Sequence, residues 1–314
     1  MAAVTQPEIG LWRSVLGAKH FLSLSTPSVT VVRRAIQDIY EFVEVEQKFD
    51  ILVANFLELE EEMARRSLVQ AYYADHSAKE MFEDKQAFNR RVINVLTAAR
   101  LYVDQIMQHV KAFFPDDAVK EAELKSAIAA EYDSRLGYRV MEALRNYTQH
   151  RGLPLQGFTH GSRWVNPNSP DKELEYNVAL NLVASELEAD GKFKKATLAE
   201  LKAIGGTIDL KPLARDYLEG LGTIHQAFRT MVKDKMEKDG LTLEKVRTEF
   251  IAGCTEDHPT VGLTLAERHE NGTFTVIERY PKEALEYLEV LKGRTGNFIN
   301  YSRRIVTTRP LNLI

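Results

Sequence analysis

The run Arg145-Asn146-Tyr147-Thr148-Gln149-His150 sets a permanent cation five residues ahead of an imidazole. Those two side-chain types suit phosphodiester chemistry. A guanidinium grips a phosphate through two parallel hydrogen bonds and steadies the charge that builds there. A histidine titrates near neutrality and can exchange a proton with a ribose 2′-hydroxyl or with a leaving oxygen. Neither task needs a metal or a cofactor. Other catalytic patterns are missing: there is no GxxxxGK(S/T), no GxGxxG, no HExxH and no GxSxG. Histidines stand at 20, 76, 109, 150, 160, 225, 258 and 269, never three or four apart, so no helical metal pair is offered. The single Cys254 excludes an intramolecular disulfide and a cysteine zinc cluster. It reads as a buried structural thiol, with no basic neighbour to activate it.

The elements that must position Arg145 and His150 are helical. Phe88, Val92, Val95, Ala99, Tyr102, Ile106, Val110 and Phe113 recur every three or four residues, which predicts a helix over 82–114 ended by Pro115. A second helix is expected from Val119 to His150. Its buried face is Leu124, Ile128, Tyr132, Leu136, Val140 and Leu144, and Gly152 and Pro154 stop it. Joined by a short acidic turn, the two form an antiparallel hairpin with the Arg–His run at its closing end. Leu213, Tyr217, Leu221, Ile224, Phe228 and Met231 predict a third long helix, 210–238, closed by Gly240. Residues 49–73 also read as helix. The segment 29–47 carries both a strand and a helix pattern and is taken as helix.

Two stretches break the helical period. Leu174, Tyr176, Val178, Leu180 and Leu182 alternate strictly with polar residues, as in a half-buried strand. The turn-rich 166–171 separates it from a hairpin partner at 156–165. Later, 261–267 and 274–279 flank His269-Glu270-Asn271-Gly272, and Asn-Gly is a strong hairpin turn. A short helix is expected over 281–292. The fold class is thus mainly α: an N-terminal segment (1–28), an antiparallel helical bundle (29–240) with an inserted β-hairpin at about 155–183, and a small α+β segment (241–314).

The 314 residues, 44% of them hydrophobic and 27% charged, supply ample core and exclude a disordered chain. No stretch approaches the roughly 18 consecutive apolar residues of a membrane span. Glu8, Arg13 and Lys19 interrupt any signal-peptide core, so a cytoplasmic protein is expected. A formal charge of −4 argues against a general nucleic-acid coat but leaves room for a local phosphate site.

The run at 145–150 resembles the signature of the HEPN superfamily: Arg, then four to six residues, then His, at a helix end within a helical bundle. The residue after the arginine there is typically Asn, Asp or His, and here it is Asn146. The resemblance covers about 29–240. It implies a metal-independent endoribonuclease, with Arg145 on the phosphate, His150 as general acid and base and Asn146 in the same site. Products would be a 2′,3′-cyclic phosphate and a 5′-hydroxyl. Family members are usually toxins, anti-phage effectors or RNA-processing proteins, so an antitoxin or defence-system partner is implied. Nucleotidyltransferase-paired members carry a tyrosine two residues after the histidine; Gly152 stands there, which argues against control by nucleotide attachment. A second Arg-x6-His match, Arg13 with His20, lies outside the bundle and has Ser14 after the arginine.

At about 100° per residue, five steps leave Arg145 and His150 about 140° apart on one helix. A twofold homodimer solves this by bringing two such helix ends together, as in the family's composite site. Three further residues are candidate supports: Asp104 to orient His150, Asn94 beside it on the same helix, and His160 in the inserted hairpin. After Glu289 the chain has no acid. There Lys292, Arg294, Arg303, Arg304 and Arg309 alternate with Phe298 and Tyr301, a candidate RNA-contacting strip with stacking rings. The alternative function is a non-catalytic HEPN-like interaction or partner subunit. Burial of Arg145 against Glu142 or another carboxylate favours that alternative; an open basic surface favours the enzyme.

Overall fold

The structure, a computed structural model, describes residues 8–73, 77–296, 298 and 300–306. It is mainly helical, with two small antiparallel sheets. The helices are α1 (Thr26–Tyr73), α2 (Ala78–Phe113), α3 (Ala118–Ser134), α4 (Leu136–His150), α5 (Ala184–Ala189), α6 (Lys195–Ile204), α7 (Leu210–Gly253) and α8 (Lys282–Arg294). The strands are β1 (Glu8–Arg13), β2 (Phe21–Ser23), β3 (Gly157–Val165), β4 (Glu173–Val183), β5 (Thr207–Asp209), β6 (Leu263–Arg268) and β7 (Phe274–Arg279). Among the described residues no helix is long and apolar enough to cross a membrane. The chain divides into two compact units, and α1, α2 and α7 contribute a segment to each.

One unit gathers residues 1–47, 109–116 and 229–294. Its sheet runs β2-β1-β6-β7. The Asn271–Gly272 turn closes β6 on β7, with Gly272 at φ 78, a conformation glycine adopts without steric cost. β1 then pairs antiparallel with β6, Leu11 opposite Leu265, so the N-terminal strands complete the sheet of the late hairpin. Leu11 and Leu265 join Ile36, Ile39, Leu243, Val246 and Phe250 in one buried cluster. That burial explains why α7 continues past Gly240 instead of ending there. A mid-helix glycine costs about 1 kcal/mol, while a fully buried Leu or Phe contributes roughly 1.5–3 kcal/mol. The segments 29–47 and 49–73 are likewise one uninterrupted helix, α1.

The other unit, residues 48–108, 117–228 and 295–314, holds the bundle that carries the Arg–His run. Contacts fix its helix directions. Along α1, Phe49, Glu58 and Arg66 meet Tyr102, Arg91 and Asp84 of α2, so the two are antiparallel. Phe49 stacks on His225 of α7 at 3.9 Å and Glu60 pairs with Arg215 at 2.5 Å, again antiparallel. α2 and α4 follow the same rule. Arg100 faces Glu142 at 3.9 Å, and the side chain of Asn89 accepts from the Leu155 N–H at 3.0 Å, beyond the end of α4. The hairpin β3–β4 and the short β5 form the second sheet, order β3-β4-β5. It lies against α2 through Phe158 on Phe88.

The single helix expected over 119–150 is in fact two. Arg135 breaks it at φ −114, ψ 121. Its guanidinium is held by Glu131 (2.5 Å), Asp216 (2.8 Å) and Glu219 (3.3 Å). Gly137 then permits a close approach to α7: a Cβ there would sit 2.3 Å from the Leu213 carbonyl oxygen. The Asp216 carboxylate accepts from the Gly137 N–H at 2.9 Å, satisfying one of the free donors at the start of α4.

Arg139, on α4, pairs two-pronged with Glu200 on α6 (3.1 and 2.6 Å). Those hydrogen bonds hold the Glu200 carboxyl below its ordinary value, outweighing the opposing effect of burial. A folded-state pKa below the unfolded one gives stability that is present at neutral pH and lost as pH falls through the carboxylate range. Glu200→Gln should therefore cost up to about 1 kcal/mol at pH 7. At pH 3 it should cost nothing, in urea titrations of both proteins.

Candidate functional site

Arg145, Asn146 and His150 occupy the last two turns of α4. The inner face of this helix (Tyr138, Met141, Leu144) is buried, and its polar end emerges beside α2. Arg145 is half-buried. Its Nη1 donates to Asn146 Oδ1 at 2.9 Å, while its Nε is shielded from solvent without an acceptor. Thr148 Oγ1, one turn on, is also shielded and unpartnered, whereas Thr97 and Thr223 spend their hydroxyls on the carbonyl four residues back. Among the described residues no carboxylate pairs with Arg145. Glu142, the nearest candidate in sequence, accepts from Tyr217 Oη at 2.8 Å and lies 3.9 Å from Arg100. His150 is exposed and makes no hydrogen bond or ion pair with the described residues. α4 is unbroken between the two, so their side chains diverge by about 140° within one chain.

The supporting residues fare differently. Asn94 is exposed on α2; interpolating between Arg100–Glu142 and Asn89–Leu155 puts it level with the Gln149–His150 end of α4. Asp104 is bound to Arg100 at 2.6 Å, more than two helical turns up α2, and does not orient His150. His160 is not a loop histidine within reach of that site. It sits on β3 with its imidazole largely buried, Nε2 3.3 Å from Asp84, which also pairs with Arg66. Asp84 lies roughly 13 Å along α2 from the level of His150, at 1.5 Å per residue.

The C-terminal strip also divides. Arg294 is exposed at the end of α8, and Arg303 is exposed in the bundle's unit. The Arg304 carbonyl accepts from Arg215 Nη1 at 2.7 Å and its guanidinium lies over the Tyr301 ring. The two rings expected to stack on bases are packed inward instead. Phe298 meets Phe49 edge-on at 5.4 Å in a space that Gly222 leaves open, and Tyr301 packs on Phe298 at 5.9 Å. Ser302 donates through both N and Oγ to Glu219, tying the strip down. Arg309 lies outside the described residues. The second Arg–His match is structural: Arg13 is buried on Glu256 at 2.9 Å, and His20 packs on Phe250.

Two surface depressions, of about 460 and 240 Å³, belong to the other unit. The first is lined by Tyr40, Glu41, Glu44 and Glu278, the second by Ser14, Thr260, Arg279 and Lys282. Neither touches α4. Comparison with known families, with curated proteins and with solved structures finds no match. The chemistry of the α4 end therefore stands on its own residues.

Two chain stretches near it share a property that sequence reasoning passed over, the lack of acids. From 85 to 103 on α2, and from 143 to 170, there is no Asp or Glu, although the chain holds 45 in 314 residues. The α2–α4 register lays these two stretches side by side.

Proposed function

We propose that this chain is a metal-independent endoribonuclease of HEPN type, cytoplasmic and active as a homodimer, with the ends of two α4 helices forming the site. One observation carries the reading. Among the described residues Arg145 has no carboxylate partner, and it stands at the same helix end as an exposed His150 that makes no hydrogen bond or ion pair with them. Unpaired guanidinium and imidazole groups are what an incoming phosphodiester would occupy.

In this reading Arg145 holds the two non-bridging oxygens of the scissile phosphate, and Asn146 sets its guanidinium. His150 of one copy takes the proton of the ribose 2′-hydroxyl. The 2′-oxygen attacks phosphorus, the bond to the 5′-oxygen breaks, and the second copy's His150 protonates that leaving oxygen. The products are a 2′,3′-cyclic phosphate and a 5′-hydroxyl. A role as toxin or defence effector, restrained by a partner protein, fits an activity that must be controlled. The non-catalytic alternative draws on the shielded Nε of Arg145, which would suit an arginine packed into an interface.

Expression of the wild-type chain should slow growth and fragment cellular RNA, while His150→Ala should do neither. Equal growth and intact RNA in both would favour the non-catalytic alternative. Sedimentation at tens of micromolar should show a dimer; a strict monomer would remove the composite site.

A further inference from the structure

The two acid-free stretches meet where the proposed site lies, and the arginines there are unusual for this unit. Every other arginine on this unit's α-helices has a carboxylate within ion-pairing distance. Arg90, Arg145 and Arg151 have none among the described residues. Arg151 caps the C-terminus of α4, where the helix dipole favours a cation, so its position has a local explanation. Arg90 has no such explanation. It is exposed in the interior of α2, next to Asn89, whose side chain is bonded to the Leu155 N–H five residues past His150. That bond puts Arg90 level with the segment just past the end of α4.

A solvated surface arginine gains little from its position and normally drifts toward any nearby acid. Here the nearest acids along α2 are Asp84 and Asp104, both already engaged, to Arg66 and Arg100. Among the described residues no carboxylate pairs with Arg90 or Arg145, although Glu58 holds the neighbouring Arg91 and Asp190 and Glu186 lie near Tyr147. On the register set by Arg100–Glu142 and Asn89–Leu155, Arg145 is level with Thr97 and Ala98, so Arg90 lies roughly 11 Å further along α2 at 1.5 Å per residue, within the reach of one bound strand.

We propose that Arg90, set by the Asn89–Leu155 contact just past the open end of α4 on an acid-free stretch of α2, binds a backbone phosphate of the same strand whose scissile phosphate Arg145 holds. The ligand is single-stranded RNA. This rests on the ribonuclease reading and names a substrate contact that the Arg–His run does not contain. Arg90 is a binding residue and takes no part in proton transfer.

The test uses the full chain carrying His150→Ala, so that RNA stays intact, and a short fluorescein-labelled single-stranded RNA read by anisotropy across a salt series. Arg90→Gln in that background should weaken binding 3- to 10-fold near 0.1 M salt and lower the slope of log K against log salt by about 0.7, the value of one phosphate contact on a single strand. Arg65→Gln, removing an exposed arginine already paired with Glu62, should change neither. An Arg90→Gln protein with unchanged melting temperature, unchanged affinity and unchanged slope overturns this inference and leaves the Arg145–His150 reading standing. Failure of the His150→Ala protein to bind RNA at all overturns both.

Discussion

His150→Ala should lower the rate of RNA cleavage by roughly 10²- to 10⁴-fold, the usual worth of a positioned general acid–base group. Stability should not change, because the imidazole is exposed and makes no hydrogen bond or ion pair with the described residues. Arg145→Ala should cost as much in rate, and Arg145→Lys nearly as much, since an ammonium keeps the charge but loses the planar two-bond grip. Single-turnover cleavage of a labelled RNA, with thermal melts on the same samples, separates the two effects. A dimer built from one Arg145→Ala chain and one His150→Ala chain should recover part of the activity if each site draws its groups from both copies. Cleavage by His150→Ala at the wild-type rate would end the assignment.

Gly137→Ala should destabilise the protein by about 3 kcal/mol, read from urea midpoints. In an isolated helix the same change stabilises by about 1 kcal/mol, so the sign itself is diagnostic. The reason is contact: the added Cβ would meet the Leu213 carbonyl at 2.3 Å and Asp216 Cβ at 2.7 Å. α4 would have to back away from α7, giving up the Gly137 N–H to Asp216 hydrogen bond and the Tyr138–Tyr217 ring contact. A neutral or stabilising outcome would mean that the break at Arg135 is not held as described.

The long helices were legible because their apolar periods are strong and local. α2 begins four residues before the expected Phe82 and ends one residue before the expected Phe114. The hairpins at β3–β4 and β6–β7 were legible for a similar reason, strict alternation and turn residues. The break between α3 and α4 was not. The apolar period runs on across it through Leu136 and Val140, and the interruption is imposed by Asp216 and Glu219 from a helix some 80 residues later. The pairing of β1 with β6 leaves no local mark at all, since a three-residue or six-residue strand cannot name a partner about 250 residues away.

The candidate site was legible only in part. Arg145, Asn146 and His150 could be picked from residue types and spacing, and the structure puts them at a helix end where Arg145 has no carboxylate partner among the described residues. Asp104 was chosen for its place beside the apolar stripe of the neighbouring helix and His160 because it follows the run in the inserted hairpin; both are engaged elsewhere, on Arg100 and Asp84. Phe298 and Tyr301 illustrate a general ambiguity. Aromatic rings among basic residues suit base stacking and core packing equally well, and here packing against Phe49 and Gly222 takes them. The acid-free stretches were visible in the sequence, but only the register of α2 on α4 shows that they run side by side.

The most direct test is to identify the ends of the RNA fragments made by purified wild-type protein in EDTA. A matched substrate should carry 2′-deoxyribose at the cleaved position. The account predicts cleavage of the all-ribose RNA to a 2′,3′-cyclic phosphate and a 5′-hydroxyl, with the deoxy substrate left whole. Fragments ending in a 3′-hydroxyl and a 5′-phosphate, or cleavage of the deoxy substrate at the same position, would contradict it.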